Sequence, residues 1–469
     1  MSDCSTKSAE NKTIIDAVEV TSDILTGRAG LSLFVRYLRN IGLQGQLETF
    51  FGSLRRSRKG QPIMEVFKQL FCFFVDGTSR HLVHFDALCQ DEGYARAIES
   101  DPKAMLSSHA VKRFFGRFWW PWIYLFRQLL QRLFLWRLGL AKPEVVILGI
   151  DTMVMDNDEA AKRHGVRPTY KNVKGFQPLQ MSWGRLIVDA VFRRGDAHSN
   201  HSDTVEKMVR HMVGKIRKHY RGDVPIILRL DSGFFDQKLF KVFEELGIGY
   251  LCGGKLYEDI KGYVSKVDHQ SWRRYECGLN VWTYVELGDR RESWDRYRRA
   301  FFCRPLNDGD QLVMEFARPD TMIYTNLGRG EALDKALIRC GREDLLEVSG
   351  IIGTYHDRGN DELVYRAFKE FGFEELPFKR FAQNAAVYYT MLTAFFLYEC
   401  FKEDVCAEVV QIGAYATTVR RKVIDIAAKI VRHGGKVILK VTAATYEQLK
   451  FLDLWTRSGM PPQYQWTQR

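Results

Sequence analysis

Residues 144–155 read "EVVILGIDTMVM". The run is apolar without a break and carries β-branched residues, the pattern of a strand covered on both faces. One carboxylate, Asp151, stands inside it. Burying a lone carboxylate is costly unless it is paired, hydrogen-bonded or bound to a metal. Asp151 is therefore either tied locally, to Thr152 or in a turn, or kept there for chemistry.

The pattern recurs downstream. "RLIVDAVFRRG" (185–195) predicts a second strand and "VPIILRLDSG" (224–233) another buried one, ending at Asp231. "DSG" is also good turn chemistry, so Asp231 has a structural reading of its own. Between the two, Val205, Met208, Val209, Met212, Val213 and Ile216 fall at helical spacing. A helix over "DQKLFKVFEELG" (236–247) and a strand over "IGYLCGG" (248–254) follow. Strands that then alternate with helices predict an α/β core whose first part spans 141–254.

The flanks differ. Residues 1–27 are expected to be a flexible tail, and 28–140 a helical region, built from stripes such as "LSLFVRYLRNIGL" and "QPIMEVFKQLFCFFVDG". This region is basic at 55–60 ("RRSRKG") and again over 101–140. Within it, "SSHAVKRFFGRF" (107–118) has two readings: a recognition helix showing Lys112 and Arg113 to DNA, or a helix packed by Val111, Phe114, Phe115 and Phe118. Residues 255–345, rich in Tyr, Trp, Val and Arg, predict a β-rich insertion and connector, with strands in "RRYECGLNVWTYVEL", "YRRAFFCRP" and "LVMEFARPDTMIYTN". The α/β core resumes over 346–402, and 403–469 is expected to be basic and mostly helical, with "TVRRKVIDIAAKIVRHGGKVILKV" read as a basic helix with a possible strand after it.

The resumed core contains "YHDRGNDELVYRAFK" (355–369). At 3.6 residues per turn, Tyr355, Arg358, Glu362 and Lys369 fall within roughly a 60° arc of one helix. Taken alone, such a face is a solvated one with spaced ion pairs. Beside two strand-borne aspartates, Glu362 becomes a third carboxylate. Three carboxylates suit a hard divalent cation such as Mg²⁺. A pair of such ions about 3.5–4 Å apart drives in-line phosphoryl transfer. Arg358 and Lys369 then suit the phosphates, and Tyr355 suits a phosphate, sugar or base. Asp357, Asp361 and Arg366 are left to the solvated background.

The totals agree with a polyanionic partner. The 469 residues carry a net charge of +12, with 46% apolar and 27% charged residues. No apolar run reaches the about 18 residues of a membrane span. "MSDCSTKSAENKTIIDAVEV" lacks the pattern of a signal peptide. Nine scattered cysteines without a C-x-x-C suit a reducing cytoplasm and exclude a cysteine-based zinc site or disulfide framework.

The order and spacing of these residues resemble the DDE transposases of bacterial insertion sequences, of the branch called transposase DDE group 1. Tyr355, Arg358, Glu362 and Lys369 match the signature Y-x2-R-x3-E-x6-K, and Asp151 and Asp231 resemble the two strand aspartates. "YKNVKGFQPL" and the C-terminal "TVRRKVIDIAAKIVRHGGKV" are also similar, and the likeness runs from about residue 30 to the C-terminal region. The resemblance implies an RNase H-like catalytic core interrupted by a β-rich insertion, with a helical N-terminal DNA-binding region. It implies Asp151, Asp231 and Glu362 as catalytic ligands of two Mg²⁺, with Mn²⁺ substituting. It also implies double-stranded DNA as partner, both terminal inverted repeats and target, and a homodimer on paired ends. Such a protein would be cytoplasmic and associated with the nucleoid. Two other classes remain: a catalytically inactive DNA-binding derivative, and a metal-dependent nuclease that does not join strands.

Lesser features carry two readings each. Lys171 and Lys174 in "YKNVKG" are phosphate contacts or plain surface lysines. Trp272, Trp282 and Trp294 either stack on a displaced base or pack across strands, the commoner role. His198 and His201 have helical zinc spacing, but no further ligand stands nearby in sequence, which favours a loop pair.

Overall fold

The computed structural model describes residues 15, 17–54, 60–277, 280–306 and 320–463. The basic cluster at 55–59 and the segment 307–319 of the third insertion strand lie outside the described residues.

Five strands form the centre: β1 (Val146–Thr152), β2 (Leu179–Trp183), β3 (Leu186–Val191), β4 (Ile226–Leu230) and β5 (Gly249–Gly253). Their order across the sheet is β3-β2-β1-β4-β5. β1 is antiparallel to β2 and β2 to β3, whereas β1, β4 and β5 run parallel. This mixed sheet with order 3-2-1-4-5 is the RNase H-like arrangement. All residues of β4 and β5 are buried, as their continuous apolar sequences require.

The β-rich insertion continues this sheet. Strands β6 (Arg273–Cys277), β7 (Asn280–Asp289), β8 (Arg298–Leu306) and β9 (Thr321–Thr325) follow one another antiparallel, and β9 pairs with β5 through Ile323–Gly253, Tyr324–Cys252 and Thr325–Leu251. Among the described residues the result is one sheet of nine strands.

The helices cover it. In the N-terminal region these are α1 (Leu31–Asn40), α2 (Ile63–Asp76), α3 (Ser108–Phe115) and α4 (Trp120–Ala141). α5 (Thr204–His219) crosses from β3 to β4, and α6 (Gln237–Glu245) from β4 to β5. After the insertion come α7 (Val348–His356), α8 (Arg358–Phe371) and α9 (Phe381–Asp404). α9 is buried on all sides from Asn384 to Lys402, as befits a helix apolar around its whole circumference. α2, α4 and β3 pack on it. Phe51, Phe67, Phe118 and Phe126 interlock, with ring centroids 4.6 Å apart for Phe51 and Phe126, and Phe126 stacks on Tyr389 of α9 at 6.0 Å. The N-terminal helices therefore share one core with the central sheet.

Two expectations change, and a third point, open between two readings, narrows to a packed helix. Within the expected tail, Ile24–Thr26 forms a strand. It pairs antiparallel with β10 (Ala428–His433), which pairs with β11 (Lys436–Val441). The second change is that hairpin itself. The expected basic helix holds over 416–424, and the possible strand after it is present as β11, but 428–433 is a strand too, because Gly434 and Gly435 both take positive φ (56° and 76°), the geometry of a tight two-residue hairpin turn. The third lies in "SSHAVKRFFGRF": Val111, Phe114, Phe115 and Phe118 are buried, so this helix packs, with Lys112 and Arg113 exposed on its outer side.

Phe126→Ala removes one of the rings that join the N-terminal helices to α9. It should cost about 3–5 kcal/mol. Urea unfolding should still show one transition, shifted as a whole. Separate transitions for the two regions would contradict a shared core.

Candidate active site

β1 and β4 are parallel neighbours with Ile150 opposite Leu230. The next residues, Asp151 and Asp231, therefore lie side by side at the carboxyl ends of two central strands. That edge is where open α/β sheets place their ligands. Asp151 accepts from the Thr152 amide at 2.6 Å. Asp231 accepts from the Gly233 amide at 2.9 Å and so starts the short turn Ser232–Phe234. The two structural readings of these aspartates are thus both realised, and both still leave carboxylate oxygen facing the strand ends.

α8 lies against this edge. Its buried stripe runs through Asp361, Val364, Tyr365, Phe368 and Phe371; Phe368 and Phe371 pack on α9, and Asp361 reaches the sheet at Arg229 and Ser182. Arg358 bridges the carboxylates, with Nη1 3.9 Å from Asp151 and Nη2 3.2 Å from Glu362. Burial, and next the negative charge of Asp231, push the Asp151 carboxyl up to about 7. Burial also raises Asp231, against the pull of Arg358. Glu362 raises both by its charge. Asp151, Asp231, Arg358 and Glu362 thus form one electrostatic group.

The other expected residues stand differently. The four signature residues do not share one helix. The chain breaks at Asp357, where Asn360 bonds back to the Asp357 carbonyl at 2.9 Å. Gly359, a poor helix former, sits just after the break. Tyr355 ends α7 and is buried with Ile351, Ile352 and Leu251. Its hydroxyl lies against Gly253, where an added Cβ would stand 2.5 Å away. In this position it supports Arg358 from behind and shows no open face to DNA. Lys369 is paired with Glu374 at 2.6 Å. Lys171 and Lys174 are exposed in the loop and short strand after β1.

Asp361 is a clear correction. It does not belong to the solvated background: it is 3% exposed and ion-paired with Arg229 at 2.9 Å. Arg229 could have been noticed in the sequence, since a charge inside "IILRL" needs a partner as much as Asp231 does. Tyr170 was also missed. Its exposed ring sits near the carboxylates, and burial of the phenol together with Asp151 and Asp231 raises its pKa. No spacing rule marks it. The tryptophans pack: Trp282 stacks on His356 at 4.6 Å, Trp294 is buried beside Phe235 and Tyr324, and Trp272 meets Phe302.

Among the described residues no three His, Cys, Asp or Glu side chains stand close enough to hold a metal as they are. The donors nevertheless suit a hard divalent cation in kind. They are carboxylate oxygens, two of them on half-buried aspartates, and their mutual repulsion marks a deficit of positive charge that Arg358 partly relieves.

An RNase H-like sheet whose strand-end aspartates meet a helix-borne glutamate defines the class. Over residues 17–457 the chain matches the family described as transposase DDE domain group 1, and it belongs to that family. Among solved structures it is similar to the piggyBac transposase synaptic complex with hairpin DNA, seen by cryo-EM. The TM-score is 0.37 and the identity 10%, over 84% of this chain and 79% of that one. No curated protein matches significantly. No helix among the described residues is long and apolar enough to cross a membrane.

A carboxyl raised in the folded state binds its proton where the unfolded chain has lost it. Stability is then lost as pH rises from about 4 to about 7, by a few kcal/mol for Asp151. In chelator, near pH 8, Asp151→Asn should therefore melt higher than wild type, and the gap should narrow as pH falls and close only near about pH 4. Mg²⁺ should raise the wild-type melting temperature near pH 8 and leave that of Asp151→Asn unmoved. Equal responses of both proteins would contradict the assigned electrostatics.

Proposed function

We propose that this protein is a DNA transposase that cleaves and joins phosphodiester bonds at the ends of its own insertion sequence. Asp151, Asp231 and Glu362 are the catalytic carboxylates and hold two Mg²⁺, for which Mn²⁺ substitutes. The observation that carries this reading is the pair of like-charged, half-buried aspartates on neighbouring strand ends, faced by Arg358 and Glu362.

Bound there, the divalent ions supply Lewis-acid activation of an oxygen nucleophile and charge relief on the phosphate. The chain's own residues do the rest. Arg358, backed by Tyr355, moves from the carboxylates to a non-bridging phosphate oxygen, for which a guanidinium is well shaped. Water attacks the phosphorus at the element's end, the 3′-oxygen leaves, and a free 3′-hydroxyl remains. That hydroxyl attacks a target phosphodiester in the same site, displacing its 3′-oxygen. No covalent bond to the protein is needed.

Lys112, Arg113, Lys171, Lys174 and Lys369 bind the DNA backbone, Lys369 after release from Glu374. The duplexes are the terminal inverted repeats and the target, held by a homodimer on paired ends. The setting is a bacterial cytoplasm, at the nucleoid.

Purified protein with Mg²⁺ and DNA bearing the element's ends should cut and then join. Asp151→Asn, Asp231→Asn and Glu362→Gln should bind the DNA and do neither. Cutting without joining would make the protein a nuclease. Binding without cutting, unchanged by Glu362→Gln, would make it an inactive DNA-binding derivative. Replacing both Lys112 and Arg113 with alanine should weaken binding to all sequences alike and flatten the salt dependence by about one unit of slope per lost phosphate contact. An unchanged slope would remove these two residues from the interface.

A further inference from the structure

Ser182 on β2, Gly149 on β1 and Arg229 on β4 stand opposite one another across three neighbouring strands. Two residues further along lie Asp151 and, just past the end of β4, Asp231. Two rows therefore share one face of the sheet, about 6–7 Å apart. The second row carries the proposed catalytic aspartates. The first receives a carboxylate from above.

That carboxylate is Asp361. It accepts from Arg229 Nη2 at 2.9 Å and from Ser182 Oγ at 3.2 Å. It fits only because Gly149 has no side chain: an added Cβ would stand 2.5 Å from Asp361 Oδ2. The pair is sealed from water, with Asp361 3% and Arg229 8% exposed. Arg229 Nη1 also points at the Thr354 carbonyl of α7, 3.5 Å away. One guanidinium thus touches both helices on either side of the break at Asp357.

Asp361 follows Arg358 by three residues and precedes Glu362 by one. On a helix Arg358 lies one turn below Asp361 and Glu362 about 100° round from it, so seating Asp361 on the sheet fixes the rotation of the helix and with it the direction of the other two. We propose that the Asp361–Arg229 pair, seated over Gly149, is a positioning clamp that sets Glu362 and Arg358 against Asp151 and Asp231. The inference rests on the function proposed above. The clamp touches neither substrate nor metal itself. Without Asp361, the buried Arg229 guanidinium lacks its countercharge two residues from Asp231. It then competes with the cations for Asp231 and Glu362.

The test is Mn²⁺ binding by calorimetry on the full-length protein, alongside cleavage of end DNA. Asp361→Asn and Gly149→Ala disturb the clamp from opposite sides. Ser182→Ala removes one bond and serves if either of these fails to fold. Asp189→Asn is the control: Asp189 is fully buried and paired with Arg127 at 2.6 Å, on β3 and away from the proposed ligands. The clamp variants should bind Mn²⁺ about tenfold more weakly, as for loss of partners that orient metal ligands, and cut more slowly at saturating metal. They should bind DNA as wild type does. Asp189→Asn should lose stability and keep Mn²⁺ affinity. Wild-type Mn²⁺ affinity in Asp361→Asn, or an equal loss in Asp189→Asn, would overturn the clamp while leaving the metal site standing. If the wild type binds no Mn²⁺, the site reading itself fails, and the clamp with it.

Discussion

Two carboxylates end two adjacent strands, and neither is comfortable with a negative charge there. Most other features of the site answer that repulsion. Arg358 reaches back from α8 to Asp151, while Tyr355, buried beneath it, limits where the guanidinium can go. Glu362 lies on the same helical turn and adds a third negative charge to the group. A protein selected for stability alone would hardly gather three carboxylates around one arginine. An arrangement that costs stability when empty and recovers it on binding a cation is common at functional sites.

The scaffold explains how the repulsion is held. β1 and β4 lie at the middle of the sheet, with β2 and β5 on their far sides, so their ends cannot splay apart. α9 runs buried through the molecule and joins the N-terminal helices to the sheet. The buried ion pairs Arg127–Asp189 and Arg229–Asp361 tie helices to strands. Breaking such a pair from one side typically costs about 3–5 kcal/mol, because the remaining charge stays buried.

Much of this was legible in the sequence, for identifiable reasons. Asp151 and Asp231 stood out because a charge interrupting an apolar strand demands an explanation. Glu362 emerged from spacing relative to Arg358. The same reasoning, applied to Arg229, would have predicted a buried anion and led to Asp361. Asp361 falls to the solvated background when only Glu362 fits the signature spacing, yet helix rotation turns it inward. The break at Asp357 was hidden because both flanks are good helix, and only the weak signal of Gly359 marks it. The first strand of the C-terminal hairpin reads as helix because lysines and alanines mask the alternation in "AKIVRH", although Gly434–Gly435 is a turn signal before the strand that follows. The insertion strands were visible as strands. Their joining to β5 was not, since pairing partners far apart in sequence leave no local trace.

The central claim is that Asp151, Asp231 and Glu362 together hold the catalytic cations. Anomalous X-ray scattering from crystals of the protein with Mn²⁺ and DNA bearing its ends tests it most directly. The account predicts manganese peaks among these three carboxylates, with Arg358 displaced from Asp151 onto a phosphate. Manganese bound elsewhere, or none while Arg358 still bridges Asp151 and Glu362, would contradict it.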